Sequence, residues 1–339
     1  MPDRYAKQTR FAPLGEQGQR RLGEASVLLC GCGALGSVIA QTLVRAGVGR
    51  LTLVDRDFLE LSNLQRQVLF NEADVAQRLP KAVAAAAHLR AANSEVEVEP
   101  VVADVTAANL AGLAAGHTLL MDGADNFETR LLVNDYAVRE GVPWVYGGVI
   151  GAEGRVMPVL PGESACLACL VPEPPAPGDT PTCDSAGVLG PAVGVVASLQ
   201  AIEAMKLIAG AADAVAHGLT VVDLWAGQWR RLAVQRDPQC RACGRRRFDW
   251  LEGRRGSQAV VLCGRESVQL SPPRGAPPVD LEAMRARLAP LGEVAGNDYL
   301  LRLRYEGHDI TLFEDGRAII SGVDDEAAAR SVWARCLGG

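Results

Sequence analysis

Gly31-Cys32-Gly33-Ala34-Leu35-Gly36 fits G-x-G-x-x-G, between a short apolar run over 26–31 and a periodic stretch over 37–47 that closes at Gly47. A strand, a glycine turn and an amphipathic helix in that order let backbone N–H groups and a helix N-terminus meet a phosphate. The pattern then repeats. Leu51 to Asp55 predicts a second strand, 80–92 an alanine-rich helix, 96–102 a third strand, 118–122 a fourth, 128–140 a helix and 144–146 a fifth strand. Such alternation predicts an α/β fold, a mostly parallel sheet covered by helices on both faces. Later strands are expected at 155–160 and 219–235, with a loop and a long helix at about 190–209 between them.

The chain has 339 residues, 48% of them hydrophobic, which suits one large core and a small second domain. Arg245, Arg246, Arg247, Arg254 and Arg255 surround Gly253 and Gly256 and mark a change of composition. The expected division is a first domain over 1–248, a linker over 249–256 and a small α+β domain over 257–339. That second domain reads as a strand or hairpin, a proline-rich turn at 272–278, helix 280–289, hairpin 299–321 and a final helix 324–336. Residues 171–182 are rich in proline and predict a long exposed loop. A net charge of -6 offers no basic footprint for nucleic acid. The start of the chain, Met1 to Lys7, is polar where a signal peptide needs an apolar core, and no uninterrupted apolar run reaches bilayer length. A cytoplasmic protein without a membrane segment is expected.

Asp55 ends the second strand about 20 residues beyond the glycine turn, where a carboxylate can accept hydrogen bonds from ribose hydroxyls. This pairing argues for a nucleotide without choosing between ATP and NAD, which both carry an adenosine ribose. Asp57 belongs to the same segment. Ser62-Asn63-Leu64-Gln65-Arg66-Gln67 follows, and Lys81 opens the alanine-rich helix. Arg66 and Lys81 can neutralise a triphosphate and the charge developing at its α-phosphorus; taken singly, each also reads as a solvated surface charge. Asp125-Asn126 follows the apolar strand and Gly123, at the strand edge where open α/β sheets bind ligands. Asp125 can hold Mg2+ on phosphates, or cap the helix after it.

Nine cysteines in a reducing compartment are expected as metal ligands, reactive thiols or small buried residues. Cys166-Leu-Ala-Cys169 and Cys240-Arg-Ala-Cys243 form two C-x-x-C pairs, and four thiolates suit a closed tetrahedral zinc site whose role is structural. The metal must clip two distant segments together. Cys183, outside both pairs and next to the proline-rich loop, reads either as a nucleophile toward an activated acyl group or as a thiol without a chemical role. Cys30, Cys32 and Cys263 read as packing residues.

Arg4-Tyr5-x-x-Gln8, the glycine turn, Asp55, Ser62 to Gln67, Lys81, Asp125-Asn126, the two C-x-x-C pairs and Thr182-Cys183 together resemble the ThiF/MoeB/HesA family of ubiquitin-activating-enzyme-like adenylyltransferases. The resemblance runs in order through about residues 1–248. It implies a homodimer, ATP in the Rossmann-like half, and a small ubiquitin-like or sulfur-carrier protein whose Gly-Gly tail reaches the α-phosphate. It further implies that Gly31, Gly33, Ala34, Gly36 and Asp55 hold adenosine, that Ser62, Asn63, Leu64, Gln65, Arg66 and Lys81 grip the phosphates, and that Asp125, beside Asn126, binds Mg2+. Cys183 matches the family's thiol position, used by some members in a thioester or persulfide relay, for which a sulfurtransferase is the expected donor. The chain departs from the family at Lys7, where an arginine is common, and at Ala34, where a further glycine is common. No rhodanese pattern follows. The chain ends Leu337-Gly338-Gly339, the tail the family activates in its substrates; it reads as a terminus after a helix or as a fused mimic.

An ionised C-terminal carboxylate is already nucleophilic, so positioning and charge stabilisation suffice, and His88, His117, His217 and His308 all fall outside the motifs. Two rival readings remain at this point. One is an NAD-dependent oxidoreductase, which uses the glycine turn and Asp55 alone; the other is a non-catalytic scaffold of the same fold.

Overall fold

Every residue of β1 (Ser26–Cys30) but the first is buried, because the strand lies between two parallel neighbours and under helices on both faces. The computed structural model describes residues 3–175, 186–255, 259–262, 267–272, 277–323 and 325–337. Along β1, Val27 and Leu29 join one core and Leu28 and Cys30 the other, so the two-residue repeat of a strand divides a continuous apolar run between two layers.

The chain divides into two units, Met1–Arg255 and Gly256–Gly339. In the first, β2 (Arg50–Asp55), β3 (Glu97–Val102), β4 (Leu119–Asp122), β5 (Trp144–Ile150), β6 (Glu153–Val159), β7 (Leu219–Asp223) and β8 (Gln228–Leu232) join β1 in one sheet. Its order is β3-β2-β1-β4-β5-β6-β7-β8, parallel through β5 and antiparallel beyond it. The order reverses between β1 and β4, where neighbouring strands send their connections to opposite faces and leave a crevice at their C-terminal ends.

Several elements extend beyond their predicted bounds. The first long helix starts at Ala34, three residues before its amphipathic stretch, because it springs directly from the glycine turn. β5 continues through Gly147-Gly148 to Ile150, since its antiparallel partner β6 supplies ladder bonds that two glycines alone would not suggest. The stretch 219–235 is a hairpin, β7 and β8, turning near Gly227 at φ 67°. The helix Gly190–Ala209 is long and apolar enough to cross a membrane by length and composition, which the sequence reading did not anticipate. Its apolarity has a local cause: it packs on the helix Ala34–Ala46 and on β5 and β6, with Val193, Val196, Ala197, Ala201 and Ala204 in the core.

The second unit is a six-stranded antiparallel sheet of order β11-β12-β13-β14-β10-β9, built from β9 (Ala259–Leu262), β10 (Ser267–Leu270), β11 (Val294–Gly296), β12 (Leu300–Tyr305), β13 (His308–Phe313) and β14 (Ala318–Ser321). The expected hairpin at 299–321 is three strands, folded back at Gly307 and again at Gly316, both at positive φ. Helices Leu281–Leu288 and Glu326–Leu337 flank the sheet, with Leu288, Ala329 and Val332 packed against Val268, Leu303, Ile310 and Ile320. The last described element is thus a helix, and Gly338-Gly339 lies outside the described residues.

At the crevice two strand ends meet backbone to backbone. A Cβ added at Gly31, which sits at φ +94°, would lie 2.4 Å from Gly123 O; one at Gly36 would lie 2.1 Å from Gly31 O. Neither neighbour is a side chain that can swing away. The substitution Gly36→Ala is therefore expected to cost about 2 kcal/mol or more and to lower the melting temperature by several degrees, measured by calorimetry. An unchanged melting temperature would show that this turn can open without loss.

Candidate active site

The crevice is lined by the residues that follow β1, β2 and β4. Asp55, the last residue of β2, is 8% exposed and accepts hydrogen bonds from Cys32 N at 2.6 Å and from Asp57 N at 2.7 Å. It thereby fixes the glycine turn on one side and its own following loop on the other. Burial pushes the Asp55 carboxyl up, and Lys81 and the two backbone donors pull against that. Within the turn, Ala34 is the first helical residue and its helix aims its N-terminus at the crevice. Gly33 differs from its neighbours: a Cβ there would have Gln67 Nε2, at 3.8 Å, as its nearest contact. Packing therefore does not require glycine at this position.

Lys81 is brought to the same edge. Its backbone N–H bonds to Asp57 O at 2.9 Å, and its ammonium lies 3.0 Å from Asp57 Oδ2, with a side chain only 5% exposed. Lys81 is also close enough to Cys32 to act on its thiol electrostatically. Arg56, which the sequence reading did not single out, pairs with Asp104 at 3.2 Å; Asp104, Asp57, Asp125 and Asp55 together hold its guanidinium well above its ordinary range, against the opposing effect of burial. A short-range signal for Arg56 exists in its place between Asp55 and Asp57, but its partner Asp104 is 48 residues away.

The segment Ser62 to Gln67 has mixed duties. Asn63 is buried and builds the turn: its Oδ1 accepts from Glu60 N at 3.2 Å, and its backbone oxygen accepts from Arg66 N and Gln67 N. Leu64 packs on the core. Ser62 and Gln65 are exposed, and Arg66, half-buried, donates to Ser62 O at 3.1 Å. A Cβ added at Gly190 would meet Gln65 O at 2.8 Å, so the segment lies against the start of the helix Gly190–Ala209. Gln67 is 3% exposed, and its Oε1 has no hydrogen-bond partner among the described residues.

On the β4 side, Asn126 rather than Asp125 caps the helix Phe127–Glu140, its Oδ1 accepting from Thr129 N at 2.8 Å. Asp125 is left exposed at the sheet edge, taking a bond from Asn126 Nδ2 at 3.1 Å and acting electrostatically on both Arg56 and Arg130. Arg130 and Asp122 are the residues the sequence reading missed. Arg130 Nε donates to Asp122 Oδ2 at 3.0 Å, and its Nη2 to Ala124 O at 2.8 Å and Gly147 O at 3.0 Å, while its guanidinium lies 5.4 Å from the ring centroids of both Phe127 and Tyr146. Burial pushes Asp122 up, and Arg130 opposes it. One arginine so ties the end of β4 to β5 and fixes the loop that carries Asp125.

The four paired cysteines come together elsewhere in the unit. Cys166 Sγ is 4.0 Å from Cys169 Sγ and 3.6 Å from Cys240 Sγ, Cys169 Sγ is 3.4 Å from Cys243 Sγ, and all four sulfurs lie within 4.8 Å of one another. Four thiolates at about 2.3 Å from a tetrahedral zinc stand about 3.8 Å apart, so these spacings fit a zinc ion. Sharing hydrogen bonds among themselves, the four thiols split, Cys166 and Cys169 pushed up and Cys240 and Cys243 drawn down, so the fit to zinc rests on the sulfur spacing. Cys30 and Cys32 are fully enclosed, and burial pushes the Cys30 thiol up to about 12, so both are inert packing residues. Cys183 lies outside the described residues.

The ThiF family model matches residues 5–242. The chain is 43% identical over 341 aligned positions, covering 100% of both proteins, to the sulfur carrier protein ThiS adenylyltransferase of Bacillus subtilis. It is 42% identical to the sulfur carrier protein adenylyltransferase of Thermus thermophilus, over 71% of this chain and 90% of that one. Among solved structures, E. coli MccB with ATP superposes with a TM-score of 0.63 at 23% identity, covering 72% of this chain and 74% of that one, a likeness of fold.

Gly33 separates a ligand's need from the fold's. Gly33→Ala is expected to keep the wild-type melting temperature and to weaken nucleotide binding about tenfold, roughly 1.4 kcal/mol, measured by titration calorimetry. Wild-type affinity in that variant would mean no phosphate approaches the turn.

Proposed function

This chain belongs to the ThiF family, and on that premise we propose that it uses ATP to adenylate the C-terminal Gly-Gly carboxylate of a small ubiquitin-like sulfur-carrier protein, releasing pyrophosphate. The observation that carries the reading is the gathering of the glycine turn, Asp55, Lys81 and Asp125 at one sheet edge, in a chain alignable end to end with a ThiS adenylyltransferase. The backbone of the turn and the start of the helix Ala34–Ala46 receive phosphate, and Asp55 receives the adenosine ribose. One carrier carboxylate oxygen attacks the α-phosphorus; the bond from that phosphorus to the bridging oxygen breaks, and the electron pair leaves with pyrophosphate. No proton has to move, because the nucleophile is ionised near neutral pH. The residues contribute by alignment and charge: Lys81, now on Asp57, and Arg66, now on Ser62 O, are the cations we assign to the triphosphate.

Mg2+ suits Asp125, an exposed carboxylate relieved of capping by its neighbour, and when bound it would neutralise phosphate charge. Zinc suits Cys166, Cys169, Cys240 and Cys243, whose closed set offers structure rather than chemistry. We place the working enzyme in the cytosol as a homodimer. Val68, Leu189 and Ile202 are exposed near the start and outer side of the helix Gly190–Ala209, an apolar surface that a second copy can cover. Transfer of the adenylated carrier to sulfur, through Cys183 or a separate sulfurtransferase, is the step expected to follow.

Isotope exchange between pyrophosphate and ATP tests the reading. Exchange is expected only with a Gly-Gly carrier present, and Asp125→Ala should lower it about 10²- to 10³-fold with an unchanged melting temperature. Exchange with no carrier dependence would overturn the substrate assignment. Separately, metal analysis is expected to find zinc in the wild type and none in Cys240→Ser, which should melt several degrees lower, since a structural metal contributes folding energy directly.

A further inference from the structure

The helix Phe127–Glu140 reaches both chemical centres of the first unit. Its N-terminal end holds Asp125-Asn126 and, one turn in, Arg130. Its next turn carries Asn134 and Asp135, both wholly buried, and each binds one of the two cysteine knuckles. Asn134 Oδ1 accepts from Leu167 N at 2.8 Å; Leu167 follows Cys166 and opens the short helix Leu167–Leu170 that carries Cys169. Asp135 accepts from Arg241 Nη1 at 2.8 and 3.0 Å, and Arg241 follows Cys240; Trp250 N bonds to the same carboxylate at 3.1 Å. Adjacent residues of one helix therefore grasp two segments that lie 74 residues apart and meet again at the metal ligands.

We propose that Asn134 and Asp135 form a latch through which metal occupancy of the four-cysteine site and nucleotide binding at the Asp125 edge act on one another. Both are positioning residues, touching neither metal nor nucleotide. Nine residues of helix separate Asn126 from Asp135, about 14 Å of rise. That span is packed by Leu131, Leu132 and Val133, so it moves as a rod rather than bending. A shift of the knuckles is thus delivered to Asn126 and Arg130, and through Arg130 to Ala124 and Gly147. Coupling of this kind is reciprocal: the factor by which zinc strengthens nucleotide binding is the factor by which nucleotide strengthens zinc binding. The identity of the nucleotide rests on the adenylation reading; the latch does not.

The test follows zinc leaving the full-length, zinc-loaded chain, trapped by the chromogenic chelator 4-(2-pyridylazo)resorcinol, with and without saturating ATP and Mg2+. In the wild type, nucleotide is expected to slow release about fivefold. Asp135→Asn is expected to release zinc about tenfold faster and with no dependence on nucleotide. Arg241→Lys, which keeps the charge beside Asp135, covers the case in which Asp135→Asn does not fold; it should lie between the two. A buried pair that merely holds the fold together would change the rate and leave the nucleotide effect intact, and that result overturns the latch. So does wild-type release that ignores ATP the chain demonstrably binds. If titration shows no ATP binding at all, the adenylation reading fails and the release assay is run with NAD: a bound nucleotide that slows release from the wild type and not from Asp135→Asn supports the latch, and binding without that effect, or no binding of either nucleotide, overturns it.

Discussion

Two strand ends in this protein touch through bare backbone, and the site depends on that contact. Gly31 after β1, Gly123 after β4 and Gly36 in the helix that follows approach so closely that no side chain fits between them. The contact closes the sheet's topological switch point into a crevice of fixed width. It holds the helix Ala34–Ala46 with its N-terminus at the mouth, and it sets where Asp55 and Asp122 must sit to satisfy the turns. Asp55 stitches the first turn to the end of β2, and Asp122 the second to β5. Each buried carboxylate accepts backbone donors and has a cation within reach, which is how a buried charge becomes tolerable.

The distribution of charge around the crevice follows from the same constraint. Carboxylates predominate at the bare edge: Asp55, Asp57, Asp104 and Asp125 surround Arg56 and Lys81. A polyanion would enter such a site by rearranging partners, because Lys81 and Asp57 already hold each other. The acidic residues keep the cations placed and extended, and on the proposed reading a metal ion held there would offset the remaining negative charge.

Much of this was legible along the chain because its determinants are local. The glycine turn, Asp55 and Lys81 lie within about fifty residues, on elements whose periodicity gives strand or helix directly, and the C-x-x-C spacing announces paired thiolates wherever the pairs meet in space. Arg130 was not legible. A cation inside an amphipathic helix reads as solvated, and only the fold shows it enclosed between Phe127 and Tyr146 on Asp122. Asn63, a polar side chain within a run of ligand-like residues, has a duty the sequence did not suggest, its Oδ1 holding its own loop. The helix 190–209 was expected, but not that it is long and apolar enough to cross a membrane; its partners in the core account for that composition.

Carboxylate adenylation also accounts for what the site lacks among the described residues. A hydrolase or dehydrogenase would need an acid or base held near neutrality in the crevice. Here His88 is paired with Asp74 at 2.9 Å and His117 with Thr52 at 3.0 Å, His217 is exposed beside β7, and His308 lies in the second unit. None is among the residues that line the turn. A reaction whose nucleophile arrives ionised and whose leaving group departs as an anion needs fixed cations, a fixed metal ligand and a rigid frame. The buried arginine, the glycine contact and the cysteine-anchored helix supply the frame, so catalytic power on this reading resides in preorganisation more than in proton transfer.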